Sequence, residues 1–128
     1  MLTEIALALY LLQGKVDELR VNIAEASQTP PNAQFYANAE VLERLAECES
    51  GNNPKAINPR DPITPSFGLY QFKISTFRFY GEKHNIIQKN LTDEELRHWI
   101  MFGELQTRIA DKMLSEKNGW KHWRSCLK

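Results

Sequence analysis

The sequence predicts a predominantly helical α+β domain, and three observations carry that expectation. Apolar residues recur at helical spacing up to Ser50. A capping box, Thr92-Asp93-Glu94-Glu95, opens a second strongly periodic segment. Between them, residues 51–66 hold Pro54, Pro59, Pro62 and Pro65. No regular helix accepts these, because each proline removes a backbone donor and its ring crowds the preceding turn. That stretch is expected to form a long loop or a small β-hairpin. A small all-α bundle is the alternative.

Each element has its own signal. A first helix is expected over 3–13, capped by Thr3 and stopped by Gly14, and a second over 15–26. Ile5 to Leu12 followed by Ala24-Glu25-Ala26 has the outline of a cleaved signal. Glu4 and the charges Lys15, Asp17, Glu18 and Arg20 favour the amphipathic helix instead. Pro30-Pro31 breaks the chain, which divides it into a helical segment, 1–32, and a main domain, 33–128. The main domain opens with a helix over 33–50. A short helix over 73–81 ends at Gly81. From Thr92 one long helix is expected to run to Asn118-Gly119, with Leu96, Trp99, Ile100, Gly103, Ala110, Met113 and Leu114 on its buried face.

Composition narrows the function classes. The 128 residues suffice for one domain with a core. Apolar residues make up 42% and charged residues 25%, ordinary values for a soluble globular chain. Formal net charge is zero, so no global field draws in nucleic acid or an anionic membrane. The cationic tail from Lys117 reads as a solvated terminus. No run of apolar residues reaches the roughly 18–20 that span a bilayer. His84, His98 and His122 have no zinc-like spacing to the two cysteines, so no metal and no cofactor is expected. Cys48 and Cys126 are either buried thiols or one long-range disulfide.

The chemistry concentrates at the end of the 33–50 helix. Val41, Leu42, Leu45, Cys48 and Glu49 fall on one face, whereas Glu43, Glu47 and Ser50 fall on the other. Glu49 is thus expected at the last turn on the apolar side, and Glu47 in solvent. Partial burial and the unpaired carbonyls of a helix C-terminus both disfavour a carboxylate anion there. A carboxylic acid kept protonated near neutral pH is what general-acid cleavage of a glycosidic bond requires. The plain alternative is a helix-end glutamate reaching out to water. The run Phe67-Gly68-Leu69-Tyr70-Gln71-Phe72 adds a close backbone approach at Gly68, an aromatic face and an amide. Sugar rings stack on aromatics, and N-acetyl groups exchange hydrogen bonds with amides. Asn53, Asn58, Ser66, Thr76 and Tyr80 add polar groups, each also a common loop or surface residue.

These residues together resemble the soluble lytic transglycosylase branch of the lysozyme-like superfamily. Glu49-Ser50-Gly51-Asn52-Asn53-Pro54-Lys55-Ala56 is followed by Gly68-Leu69-Tyr70-Gln71 and by Thr76, in the order of that pattern. Cys48-Glu49-Ser50-Gly51 and the ending Gly119-Trp120-Lys121-His122-Trp123-Arg124-Ser125-Cys126 also resemble resuscitation-promoting-factor domains. The resemblance covers about residues 36–128. It implies a lysozyme-like fold, a glycan cleft and Glu49 as acid/base. It implies a substrate-binding set of Ser50, Asn58, Ser66, Tyr70, Gln71, Thr76 and Tyr80. It also implies a Cys48–Cys126 disulfide, and so an extracellular, periplasmic, cell-wall or phage setting. The implied partner is a peptidoglycan glycan strand, met by a monomer. The insert Arg60-Asp61-Pro62-Ile63-Thr64-Pro65 is longer than in many members, and residues 1–26 match nothing in the family.

Two catalytic outcomes follow. A transglycosylase needs Glu49 alone. A hydrolytic lysozyme usually adds a second carboxylate, for which Asp61 is the acid of the loop, although a residue before Pro62 also reads as a simple turn former. A non-catalytic glycan-binding module on the same scaffold is the competitor from another class. A purely helical interaction protein would leave the Glu49–Phe72 arrangement unexplained.

Overall fold

The structure, a computed structural model, describes residues 36–59 and 63–127. The two expected N-terminal helices, the Pro30-Pro31 break and Asp61 lie outside these residues. The first described helix, α1, spans Ala39–Ser50. It starts later than the apolar pattern suggests, because Asn38 is held by another element. The Asn38 backbone N–H donates to Asp111 Oδ1 at 2.9 Å, and its side-chain amide donates to the same carboxylate, to the Asp111 carbonyl and to Ser115 Oγ. Gly51 ends α1 in the left-handed conformation, φ 63°, which costs a residue without Cβ little. Its N–H bonds the Glu47 carbonyl, and that of Asn52 bonds the Ala46 carbonyl.

The proline-rich stretch does form a small hairpin. Strand β1, Ile57–Asn58, pairs antiparallel with β2, Ser66–Phe67, with Ile57 opposite Phe67 and Asn58 opposite Ser66. The chain then turns tightly through Gly68–Gln71. Phe67 and Phe72 exchange both backbone hydrogen bonds, at 2.9 and 2.8 Å, and so close the turn. Helix α2 follows at Ile74–Lys83.

The capping box at Thr92 is present. The Glu95 N–H donates to Thr92 Oγ1 at 3.1 Å, and the Thr92 N–H donates to Glu95 Oε1 at 3.0 Å. The single long helix expected behind it is two helices, α3 over Asp93–Trp99 and α4 over Gly103–Ser115. The Ile100 carbonyl at the break accepts from the Gln106 side-chain amide at 2.6 Å. Sequence periodicity runs across the break because Leu96, Ile100 and Ile109 all enter the same core. A short 3-10 helix, Gly119–Trp123, leads to the tail.

Helix α4 is the hub. It packs against α1, α2 and the 3-10 helix, while α2 also packs on α3. Leu42, Leu45 and Ala46 of α1 meet Ile109, Ala110 and Met113 of α4, with Phe72, Phe77 and Trp123 in the same core. Phe72 sits edge-on to Tyr70, Phe77 and Trp123. The domain is therefore mixed and mostly helical, with one two-stranded antiparallel sheet among the described residues. No helix among these residues is long and apolar enough to cross a membrane.

Candidate active site

The end of α1 delivers Glu49 to a cleft. Periodicity separates it from Glu47 as expected: Glu49 is half-buried, whereas Glu47 is exposed and accepts from the Asn52 amide at 2.6 Å. Ser50 and Asn53 then steer the chain off the helix. The Ser50 hydroxyl donates to the Ala46 carbonyl and accepts from the Asn53 N–H, and Asn53 Oδ1 accepts from the Lys55 N–H. These polar residues of the motif thus shape the turn that follows Glu49.

The cleft has a volume of about 400 Å³ and gathers Glu49, Ser66, Gln71 and Thr76 from the expected set. Ser66 comes from the hairpin, Gln71 from the tight turn and Thr76 from α2. Gln71 has φ 53°, an uncommon conformation for a residue with a side chain, and such strain tends to concentrate at functional sites. Its amide nitrogen donates to the Gly68 carbonyl at 3.0 Å and reaches the Ala56 carbonyl at 3.5 Å. The side chain is thereby anchored through its nitrogen, with the amide oxygen as the acceptor end.

The turn is held from below by Gln106, which is fully buried on α4. Gln106 Oε1 accepts from the Leu69 N–H at 2.9 Å, and its amide donates to the carbonyls of Pro54 and Ile100. One side chain thus fastens the loop after α1, the Gly68–Gln71 turn and the α3–α4 break. Gly68, at φ 81°, lies so close that a Cβ there would collide with the Gln106 amide. Gln106 belongs to no recognisable motif, and the one signal for it in the sequence is its place three residues after Gly103 and four before Ala110, on the buried face.

Tyr70 is a correction. The sequence suggests an aromatic platform for a sugar, but the residue is only 2% exposed. Its hydroxyl shares a 2.9 Å hydrogen bond with Thr107, and its carbonyl accepts from Trp123 Nε1 at 2.8 Å. Burial pushes the phenol pKa up to about 12, against the opposing effect of the Thr107 bond. Its ring belongs to the core because the turn directs it at α4. Asn58 sits on exposed β1 and does not line the cleft. Tyr80 stands beside the cleft, its hydroxyl 3.0 Å from His122 Nε2.

The tail completes the wall. Cys48 and Cys126 form a disulfide with Cα atoms 5.9 Å apart, across a sequence separation of 78 residues. His122, Trp123 and Ser125 of the same tail line the cleft, and no motif in the sequence points to that position for them. The Cys126 sulfur lies 3.5 Å from Glu49 Oε1. A disulfide sulfur carries no hydrogen, so this is a packing contact rather than a donated bond. Among the described residues lining the cleft, Glu49 is the one carboxylate. Lys73 lines it too, and its ammonium donates to the Thr64 carbonyl. A larger hollow of about 1010 Å³ runs along α2 and does not include Glu49.

Comparisons with protein-family models, curated proteins and solved structures find no match to this chain.

Proposed function

We propose that this domain is a lysozyme-like peptidoglycan lytic transglycosylase, with Glu49 as its acid/base. The supporting observation is the convergence of Glu49, Ser66, Gln71 and Thr76 on one cleft from four separate segments. The order of the Glu49–Ala56, Gly68–Gln71 and Thr76 motifs supports the same reading.

In this reading a glycan strand lies across the cleft with a β-1,4 bond, from N-acetylmuramic acid to N-acetylglucosamine, at Glu49. The carboxylic acid delivers its proton to the leaving oxygen as the C1–O bond breaks, and positive charge develops at C1. The carboxylate then takes the proton of the muramyl C6 hydroxyl. The C6 oxygen closes on C1 to give a 1,6-anhydro ring, and Glu49 regains its starting proton. One carboxylate serves both steps, which suits a cleft whose described lining holds one. The Gln71 amide oxygen accepts from an N-acetyl N–H, and Thr76 supplies a hydroxyl at the rim, while the buried Ser66 belongs to the floor.

Digestion of purified peptidoglycan, followed by mass spectrometry of the released muropeptides, tests this. Anhydro-muramyl ends are expected. Reducing ends would assign hydrolysis instead, with water in place of the C6 hydroxyl and Asp61 as the candidate second acid. Strand binding without release would assign a non-catalytic module.

A further inference from the structure

The larger hollow along α2 has a chemistry of its own. Its wall carries Arg78, Lys83, Lys89 and Arg97 against Glu82 and Asp93, an excess of two positive charges (four minus two). Arg78 is already paired, at 2.9 Å with Asp93 and 3.5 Å with Glu82. Lys83 pairs at 2.8 Å with Glu116, which lies outside the wall. Lys89 and Arg97 are exposed, and no carboxylate among the described residues pairs with either. Beside them Phe79 is 59% exposed, a large apolar surface for one side chain in water. Its ring is braced, edge-on to Tyr80 at 4.9 Å and with Lys83 Nζ 5.9 Å from its centroid.

This hollow adjoins the Glu49 cleft. Along α2 and its cap, Lys73 and Thr76 line the cleft, while Ile74, Arg78 and Phe79 line the hollow. In the hairpin, Ser66 faces the first and Pro65 the second. The Lys73–Thr64 hydrogen bond forms the rim between them. A helix is about 10–12 Å across with its side chains. An extended chain of three or four residues, at about 3.3–3.6 Å each, bridges that distance.

We propose that the hollow binds a short acidic peptide carried by the saccharide at Glu49, with two carboxylates on Lys89 and Arg97 and an apolar side chain on Phe79. This rests on the reading of the Glu49 cleft as a glycan site. The mixed lining favours a peptide over a uniform polyanion. Glu82 and Asp93 in the same wall repel an unbroken row of phosphates but accept hydrogen bonds from peptide N–H groups.

The test compares the wild-type chain with the K89Q/R97Q double variant on two substrates, glycan strands bearing their peptides and the same strands stripped by an amidase. The variant is expected to raise KM about fivefold on the peptide-bearing strands, an effect that added salt diminishes, and to leave stripped strands unchanged. No change on the first, or an equal loss on both, overturns the proposal. A second measurement is independent of turnover: NMR titration with acetyl-Ala-Glu-Ala, which has two free carboxylates. Shifts at the Lys89 and Arg97 amides that vanish in the variant support the hollow even if no strand is cleaved. Cleavage of both strand types, with no peptide shifts and no discrimination, sinks the hollow and leaves the Glu49 reading intact. Tighter binding of poly(glycerol phosphate) than of the peptide would also overturn the assignment.

Discussion

Glu49 and Glu47 are two residues apart, yet their environments differ because the helix rotates about 100° per residue. Glu49→Gln keeps the shape and removes the proton, so muropeptide release should stop while the thermal unfolding curve stays in place. Glu47→Gln should release muropeptides at the wild-type rate. Wild-type release by Glu49→Gln would remove Glu49 from the mechanism. Gln106 is the residue on which the site's architecture depends most. Gln106→Leu leaves the Leu69 N–H without its acceptor and the Pro54 and Ile100 carbonyls without that donor. A cost of about 2–5 kcal/mol is expected in denaturant unfolding. Glu116 offers a pH prediction. Hydrogen bonds from Lys83, then from His84, hold its carboxyl below the ordinary glutamate range. Its folded pKa is therefore lower than its unfolded one. The stability it adds is complete above the ordinary range and is lost as pH falls through the depressed value. The pair is near the surface, so the effect is small. Glu116→Gln should flatten the acid limb of stability against pH in a denaturation series.

At the scale of elements, local chemistry accounts for starts and stops. The Thr92–Glu95 box and the Gly51 stop are legible from a few neighbouring residues, because caps are satisfied locally. The Ile100–Phe102 break is not. Its cause is a glutamine reaching back from α4 to the Ile100 carbonyl, together with the burial of Ile100 itself. The late start of α1 has a similar cause, since Asn38 is claimed by Asp111 and Ser115 across the fold. The helices hold together through their buried faces. Phe77 of α2 is fully buried between α4 and the aromatic cluster. Phe77→Ala should cost about 3–5 kcal/mol and loosen the helix that carries Thr76. A melt that does not shift would contradict that packing.

At the scale of the whole molecule, the Cys48–Cys126 bond does two jobs. It closes a long loop and so restricts the unfolded chain, and it fixes the tail as one wall of the Glu49 cleft. The paired change Cys48→Ser and Cys126→Ser should cost about 4–5 kcal/mol by chain entropy. It should also lower muropeptide release at temperatures where the variant is still folded, since Ser125, next to Cys126, loses its tether, while Trp123 keeps its hydrogen bond to the Tyr70 carbonyl. A stable variant with full activity would show that the tail holds itself in place. The sequence by itself determined the helical character, the capped start at Thr92 and the face on which Glu49 emerges, whereas it left the proline-rich stretch as a loop or a hairpin. The first three follow from residues within one or two turns of each other. From the residues alone, the two cysteines could be thiols or a bridge, and Tyr70 could be a platform or a core ring. Only the tertiary structure decided those points, the α3–α4 break and the tail wall of the cleft. Each depends on which distant side chain arrives opposite, and a burial of that kind belongs to a pair of segments rather than to either one.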